Sequence, residues 1–274
     1  MAKNELAVLN DFAIVSGYEG MSEEEIADLQ DEMEDLDDER GIACRQVKVP
    51  SGGGKAFEVE GDDPEDPELM KEIRCVIVFT HRMNSYWPGN FEDNPDNRIP
   101  TCSSMDAKTG VNYETGEIRN CDTCPLNQYA DDGSGKPCKN IRRVYLLMPG
   151  RPQIYLLSIP PTSIRDVNKQ LARIMGSNKI PYTRLVVNFK LDAATNRNGV
   201  KYSKVVVERV GLLAPEQAKI VADMRRQLKE QYKNVAITSA DYNAEEQPQA
   251  TPKTDADGFM EVPEGSPDDG LPFN

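Results

Sequence analysis

The stretch from Cys102 to Cys138 constrains this chain more than any other. It contains four of the six cysteines, and Cys121 and Cys124 form the only C-x-x-C pair. Such a pair commonly supplies half of a tetrahedral zinc site, because one tight turn brings both sulfurs to the same metal. The candidate metal ligands are therefore Cys102, Cys121, Cys124 and Cys138.

The residues between these cysteines favour a metal-stabilised module. They are rich in glycine, aspartate and proline and poor in apolar side chains, so metal binding would supply folding free energy that a small core cannot. Two disulfides or four free thiols are the alternatives. Zinc is favoured over an iron–sulfur cluster, although four cysteines serve both. Cys75 lies in the apolar run C-V-I-V-F and is expected to be a buried core residue.

The charge of the chain is unevenly distributed. Residues 1–70 carry 5 basic and 21 acidic side chains, a net charge of −16. Residues 71–233 carry 26 basic and 16 acidic side chains, a net charge of +10, and residues 234–274 have a net charge of −8. A basic body between two acidic ends is typical of a nucleic-acid-binding domain with acidic tails. The alternative is an acidic protein with a solvated, charged surface.

Signal-peptide and membrane-spanning patterns in the sequence bear on the compartment of the protein. The first ten residues lack the basic start and apolar core of a signal peptide, and no run approaches the roughly 20 apolar residues of a membrane-spanning helix. We therefore expect a soluble protein of the cytoplasm with no membrane partner, where thiols stay reduced and a C-x-x-C pair favours metal over a disulfide.

Residues 1–40 are predicted to form an acidic N-terminal helical segment. Ser22 is a suitable N-cap, with Glu25 at the capping-box position, and apolar side chains follow at helical spacing. From Gly41 an alternating pattern on either side of Ser51-Gly52-Gly53-Gly54-Lys55 predicts a hairpin with a glycine loop. This loop is not a phosphate-binding P-loop, because Ala56 follows the lysine and no glycine opens the motif.

A buried strand is predicted from Ile73 to Thr80, and it leads into H-R-M-N-S-Y-W. Arg82, Tyr86 and Trp87 are the residues that a base-stacking platform would use, since aromatic faces accept any base. The structural alternative is that these aromatic rings pack in the core or against the cysteine module.

Behind the cysteine module the pattern predicts two strands around Pro149-Gly150 and a helix capped by Thr162 or Ser163 that ends at Gly176. Two further strands, residues 182–191 and 200–210, carry basic side chains interleaved with tyrosines. A hairpin of this kind suits a groove along a phosphate backbone. A last helix begins at Pro215, and residues 234–274 are predicted to be a disordered acidic tail.

The end of the chain resembles the C-terminal tip of bacterial single-stranded DNA-binding proteins. It reads Asp268-Asp269-Gly270-Leu271-Pro272-Phe273-Asn274. The resemblance implies that the tip recruits replication or recombination proteins and that the acidic tail competes with DNA for the basic groove. Gly270 and the terminal Asn274 depart from the pattern. The implied partner-binding residues are Asp268, Asp269, Leu271, Pro272 and Phe273.

The body, residues 41–233, resembles the zinc-containing single-stranded DNA-binding proteins of bacteriophages. The resemblance is carried by Y-W before the cysteines, P-T-C-S-S-M-D, C-D-T-C-P-L-N, P-C-K-N, and the later M-P-G and P-P-T-S. It implies an α+β protein, mainly β, built on an OB-type barrel with a four-cysteine zinc module inserted at residues 98–140 and with flanking helices.

These observations predict a non-enzymatic protein that binds single-stranded DNA without sequence preference in phage replication or recombination, in the cytoplasm of the infected bacterium. The zinc would be structural, since four thiolates leave no open coordination position. Phosphates would be met by Arg82, Lys139, Arg142, Arg143, Arg184, Lys201 and Lys204. Bases would stack on Tyr86, Trp87 and some of Tyr145, Tyr155, Tyr182 and Tyr202.

Two rival functions remain open at this point. A zinc-ribbon nuclease or recombination factor is disfavoured by the single histidine, His81, and by acidic pairs that nothing gathers around two metals. The other rival is a phage-encoded interaction protein or transcription regulator whose acidic N-terminal helix imitates nucleic acid.

Overall fold

A computed structural model describes residues 7–15, 20–36, 44–63, 66–88, 100–129, 135–196, 199–235 and 237. The fold is mixed α and β with strands in the majority, as the sequence predicts, and its sheet curls into a half-barrel. No helix in the described ranges combines the length and the apolar character needed to cross a membrane.

The described part of the chain contains twelve strands and three α-helices. The strands are β1 (Val8–Leu9), β2 (Arg45–Lys48), β3 (Phe57–Val59), β4 (Glu68–Met70), β5 (Glu72–Tyr86), β6 (Cys102–Ser104), β7 (Thr109–Asn112), β8 (Ile118–Asn120), β9 (Lys139–Leu147), β10 (Tyr155–Ile159), β11 (Leu185–Thr195) and β12 (Lys201–Leu213). The helices are α1 (Glu23–Leu36), α2 (Pro161–Asn178) and α3 (Pro215–Gln231).

One long strand, β5, joins the parts of the sheet. The strand order is β1-β12-β11-β5-β9-β10-β2-β3-β4, and β6, β7 and β8 branch from the end of β5. The beginning of β5 pairs with β11, and most of β5 pairs with β9, both antiparallel. The register against β9 shifts between Ile77 and Phe79. A bulge of this kind bends a strand and increases its twist, which lets β5 belong to both the curled sheet and the cysteine module.

Both faces of the central strands are buried, which explains their nearly continuous apolar sequences. On one face, Ile73, Cys75 and Ile77 pack with Val167 and Leu171 of α2. On the other face, Val76 and Val78 pack with Val221 and Leu228 of α3. Full burial of one such side chain contributes about 1.5–3 kcal/mol, so the two helices fix the sheet from both sides.

Several local predictions are confirmed. Ser22 and Glu25 form the capping box of α1: the Ser22 N–H donates to the Glu25 carboxylate at 2.7 Å, and the Glu25 N–H donates to Ser22 Oγ at 3.2 Å. The hairpin around the glycine loop pairs Val47 with Val59. Strands β9 and β10 flank Pro149-Gly150, and the last helix begins at Pro215. Cys75 is fully buried.

Two local predictions are wrong in their details. Strand β5 does not stop at Thr80 but continues to Tyr86, because β9 and β6 pair with residues that show no apolar pattern. Helix α2 has no side-chain cap; it begins at Pro161 and runs past Gly176 to Asn178. Ser163 is instead buried and accepts a hydrogen bond from the Val205 N–H at 2.9 Å, so it ties α2 to β12.

Two predicted segments lie wholly or partly outside the described residues. The acidic tail is one of them, including the tip residues Asp268, Asp269, Leu271, Pro272 and Phe273. The other is part of the inserted module, at residues 98–99 and 130–134.

Candidate metal centre and nucleic-acid face

The cysteine module is a small antiparallel sheet that grows from the end of β5. Tyr86 of β5 is the register partner of Cys102 in β6, and Cys102 is in turn the partner of Asn112 in β7. Strand β8 follows, with Arg119 opposite Gly110. The C-x-x-C turn comes directly after β8, and Cys138 comes directly before β9. Both ends of the module are therefore anchored on the two central strands.

The four predicted ligands line one cavity. Cys102, Cys121, Cys124 and Cys138 share its wall with Asn84, Tyr86 and Gly110. The cavity is partly open and has a volume of about 20 Å³, close to what one water molecule needs, so it has room for a single ion. A Cβ atom at Gly110 would lie 3.2 Å from the Cys102 Sγ and 3.5 Å from the Cys121 Sγ. Glycine therefore lets the backbone approach both sulfurs closely.

The sulfurs do not yet converge on one point. Among the described residues, no three histidine, cysteine, aspartate or glutamate side chains are positioned to hold one metal ion. Neutral thiols gain little from pointing at one another. Rotation about χ1 can redirect each sulfur into the cavity that all four cysteines line. The donor set suits zinc, whose structural sites commonly use four cysteines.

The thiols in this cavity affect one another's protonation. Burial raises the pKa of Cys138 to about 12, with smaller contributions from Cys121, Cys102 and Cys124. Burial, followed by Cys121 and Cys124, also raises the pKa of Cys102. Negative charge on Cys121 or Cys124 thus opposes ionisation of Cys102 and Cys138, and a bound cation would reverse that balance.

A chain of three asparagines ties the C-x-x-C turn to the central strands. The Asn127 amide donates to the Cys121 carbonyl at 2.7 Å. The Asn140 amide of β9 donates to Asn127 Oδ1 and to Asn84 Oδ1 of β5, both at 2.9 Å. Asn84 and Asn127 are buried, so these bonds replace water and hold the turn against the sheet.

Two arginines lie next to each other on β5 and β9. Arg82 is the register partner of Arg142, and Arg142 donates through Nη1 to the Thr80 hydroxyl at 3.0 Å. In the described part of the chain neither arginine takes part in an ion pair. Burial, followed by the charge of Arg82, lowers the pKa of Arg142. Two adjacent cations without an acidic partner form an anion-binding arrangement.

We call Thr80, Arg82, Asn84, Tyr86 and Arg142 the arginine face. The first four alternate along β5 and therefore point to one side of the sheet, and Arg142 is the register partner of Arg82 on β9. Asn84 and Tyr86 also line the cysteine cavity. Tyr86 is half-buried and Arg82 is exposed. The arginine face is thus continuous with the cysteine module.

Tyr182 and Arg225 border the arginine face. The Arg225 guanidinium lies over the Tyr182 ring, 4.9 Å from its centroid, and donates to the Tyr182 hydroxyl and to the Val78 carbonyl. Tyr182 contributes electrostatically to the pKa of Arg142. One face of the Tyr182 ring is therefore already covered by a cation. Arg225 lies on α3, where nothing in the local sequence pattern identifies it.

Four of the predicted DNA-binding residues lie in the core instead of on the surface. Tyr145, Tyr155 and Arg143 are at most 1% exposed, and Trp87 is 7% exposed. The Arg143 guanidinium donates to the Val235 carbonyl, and the Tyr145 hydroxyl lies 3.3 Å from Nε2 of His81. These side chains do not present a free face to a nucleic acid in this fold.

The other predicted residues lie in several places. Arg184 and Lys201 are exposed, and Lys139 and Tyr202 are half-buried. Lys204 forms an ion pair with Asp166 of α2 at 2.6 Å, so its charge is already compensated. Lys201 and Tyr202 lie at the end of the β11–β12 hairpin, beyond the start of β5, and so at the opposite end of that strand from the cysteine module.

Two exposed tyrosines were not identified from the sequence. Tyr113 and Tyr129 are 56% and 76% exposed, and both belong to the cysteine module. The Tyr113 hydroxyl is hydrogen-bonded to Ser103 at 2.8 Å, and the Lys136 ammonium lies 5.1 Å from the centroid of the Tyr129 ring. Their turn-rich surroundings were the only available signal that they face solvent.

Comparison with known proteins gave no match among protein-family models, curated proteins or solved structures. The function is therefore argued from the residues themselves.

Proposed function

We propose that this protein binds single-stranded DNA without sequence preference, through the arginine face. The observation that carries the proposal is the pair of adjacent arginines, Arg82 and Arg142, with no acidic partner among the described residues. Several other basic side chains on the sheet have such a partner, as Lys190 has in Glu208. Uncompensated arginines on a strand attract phosphate, and their planar guanidinium groups can bind its oxygens in pairs.

Tyr86 gives the arginine face a means of binding bases. It lies four residues beyond Arg82 on the same side of β5, between the arginines and the cysteine cavity. Stacking on an aromatic ring contributes about 1–3 kcal/mol per base and does not depend on base identity. A duplex keeps its bases stacked on one another, so a face of this kind favours the single strand.

The order of the elements supports an OB-type barrel. Strands β5, β9 and β10 form a meander, α2 follows, and the β11–β12 hairpin returns to the other side of β5. An OB-fold is a partly open five-stranded barrel whose first and fourth loops contribute to nucleic-acid binding. Here the first loop contains the cysteine module. Strands β10 and β12 are not paired with each other among the described strands, so the proposed barrel is open on that side.

The proposed role of zinc is structural. Four thiolates would complete a tetrahedral site and leave no position for a reacting water molecule. Zinc would hold the C-x-x-C turn, Cys102 and Cys138 together next to Tyr86, so it would fix one end of the DNA-binding face. The proposal includes no catalytic step.

The biological setting is proposed from the sequence. The resemblances in the body and at the tip favour a phage protein that acts in DNA replication or recombination in the host cytoplasm. The acidic tail would compete with DNA for the basic face and recruit replication or recombination proteins through Asp268, Asp269, Leu271, Pro272 and Phe273.

Fluorescence anisotropy with labelled oligo(dT), at low and high salt and beside a duplex of equal length, tests the proposal. We expect preferential binding of the single strand, which weakens as salt rises because counterions are released. The variant Arg82→Ala should bind more weakly, whereas Arg226→Ala, which removes an arginine already paired with Asp223 on α3, should bind like the wild type. Absence of binding at low salt, also after removal of residues 238–274, would refute the proposal.

A further inference from the structure

The glycine loop between β2 and β3 reaches across the open side of the curled sheet. Strands β2 and β3 lie near one end of the strand order, and β11 and β12 lie near the other. A Cβ atom placed on Gly53 would nevertheless lie 3.6 Å from Ala193 Cβ and 3.7 Å from Lys201 Cβ. The loop therefore connects two edges that no described strand pairing connects.

Glycine is needed for this contact. Gly52 and Gly53 have φ angles of 70° and 83°, in the left-handed region that residues with a side chain rarely adopt. The two residues make a tight turn that lies beside the β11–β12 hairpin. The loop noted in the sequence as glycine-rich thus has a defined position in the fold.

Two lysines meet at this contact. Lys201 lies beside the glycine turn, and Lys55 follows Gly53 by two residues. Both lysines are exposed, and within the described ranges neither belongs to an ion pair.

In the strand register, Asp192 lies opposite Lys204 and acts electrostatically on it, and Glu58 lies opposite Lys48. Lys55 and Lys201 are exposed cations at this contact, and an extended polyanion is the kind of ligand that such cations attract.

We propose that the glycine turn and the end of the β11–β12 hairpin form a second phosphate-contacting point for single-stranded DNA, with Lys55 and Lys201 as its cations. This inference rests on the proposed function. The turn is distinct from the arginine face, because Ala193 and Lys201 lie beyond the start of β5 whereas Arg82 and Tyr86 lie near its end. A long single strand would touch both points, and a short one would occupy the arginine face alone.

The test compares the salt dependence of binding for two lengths of oligo(dT), about 5 and about 16 nucleotides, which lie within the range of site sizes of one OB fold. The double variant Lys55→Ala/Lys201→Ala should reduce the slope of log K against log salt by about 1.4 on the long strand, because each phosphate contact on a single strand contributes about 0.7. Binding of the short strand should not change. The variant Lys55→Arg/Lys201→Arg should keep the wild-type slope.

The control is Lys219→Ala/Lys229→Ala, which removes the same charge from exposed positions on α3. An unchanged slope in the Lys55/Lys201 double variant would overturn the second contact point, and so would an equal loss on both oligonucleotide lengths or in the control. Failure of the wild type to bind either oligonucleotide would instead refute the proposed function itself.

Discussion

Two basic surfaces on the same sheet differ in how their charges are compensated. On the arginine face, Arg82 and Arg142 are neighbours without an acidic partner in the described structure. On the outer strands, Lys190 is paired with Glu208 at 2.7 Å, and Lys204 is paired with Asp166 at 2.6 Å. The sequence shows both surfaces as basic residues alternating along strands. Only the fold shows which of these cations already have a counter-ion.

This difference has an energetic meaning. An exposed ion pair contributes only about 0–1 kcal/mol, but its acidic member repels an incoming phosphate. Two arginines without such a partner repel each other, and burial, followed by this repulsion, lowers the pKa of Arg142. A phosphate that binds between them removes that repulsion. The arginine face is therefore the surface where an anion gains most.

The largest effect is expected from breaking the metal centre. The variant Cys121→Ser/Cys124→Ser removes two of the four proposed ligands, and a structural zinc site contributes a binding free energy on the order of 10 kcal/mol. We expect zinc content, measured by mass spectrometry on the purified protein, to fall to near zero. Hydrogen exchange should accelerate in β6, β7 and β8 and near Tyr86, while β11 and β12 stay protected.

Cys44 provides the control for this variant. It lies outside the module, and it is not one of the residues that line the cavity shared by Cys102, Cys121, Cys124 and Cys138. The variant Cys44→Ser should keep the zinc content of the wild type. Undiminished zinc in the Cys121/Cys124 variant would show that these cysteines do not hold the metal.

The second effect comes from removing the arginine pair. The double variant Arg82→Ala/Arg142→Ala should weaken binding of oligo(dT) by about 3 kcal/mol or more, since a hydrogen bond to a charged group contributes roughly 1.5–3 kcal/mol. Anisotropy titration measures this loss, after thermal unfolding has shown that the variant is folded. The matched variant Lys190→Ala/Lys204→Ala loses the same charge and should change binding far less. Equal losses in both variants would remove the distinction between the two surfaces.

A smaller effect is expected at Tyr86. The variant Tyr86→Ala should cost about 1–3 kcal/mol of binding free energy if one base stacks on the ring, and its salt dependence should stay that of the wild type because no phosphate contact is lost. Tyr155→Phe, which removes a hydroxyl from a fully buried ring, is the control. A changed salt slope in the Tyr86 variant would indicate that the ring orients phosphates instead of stacking on a base.

Some features were predictable from the sequence because they depend on neighbours along the chain. The capping box of α1, the hairpin between β2 and β3 and the start of α3 are of this kind. The extension of β5 to Tyr86 was not, because its polar residues become a strand only through pairing with β9 and β6. The apolar runs around Tyr145 and Tyr155 did contain the signal for burial. The pairing of Lys204 with Asp166 joins a strand to a helix, and no local pattern reports it.

The smallest expected effect tests whether Lys204 fails to bind phosphate because Asp166 compensates its charge or because it lies away from the DNA. Lys204 was predicted to contact DNA, and its partner Asp166 lies on α2 with its side chain 41% exposed. The variant Asp166→Asn removes the counter-ion and leaves the lysine in place. If compensation alone keeps Lys204 from binding phosphate, affinity for oligo(dT) should rise by no more than about fivefold, the equivalent of the upper value for an exposed ion pair, and the salt slope should steepen by about 0.7. An unchanged slope, measured in the same anisotropy titrations, would contradict this explanation and show that Lys204 lies away from the path of the strand. The variant Asp223→Asn, which frees Arg226 on α3, controls for the change in net charge.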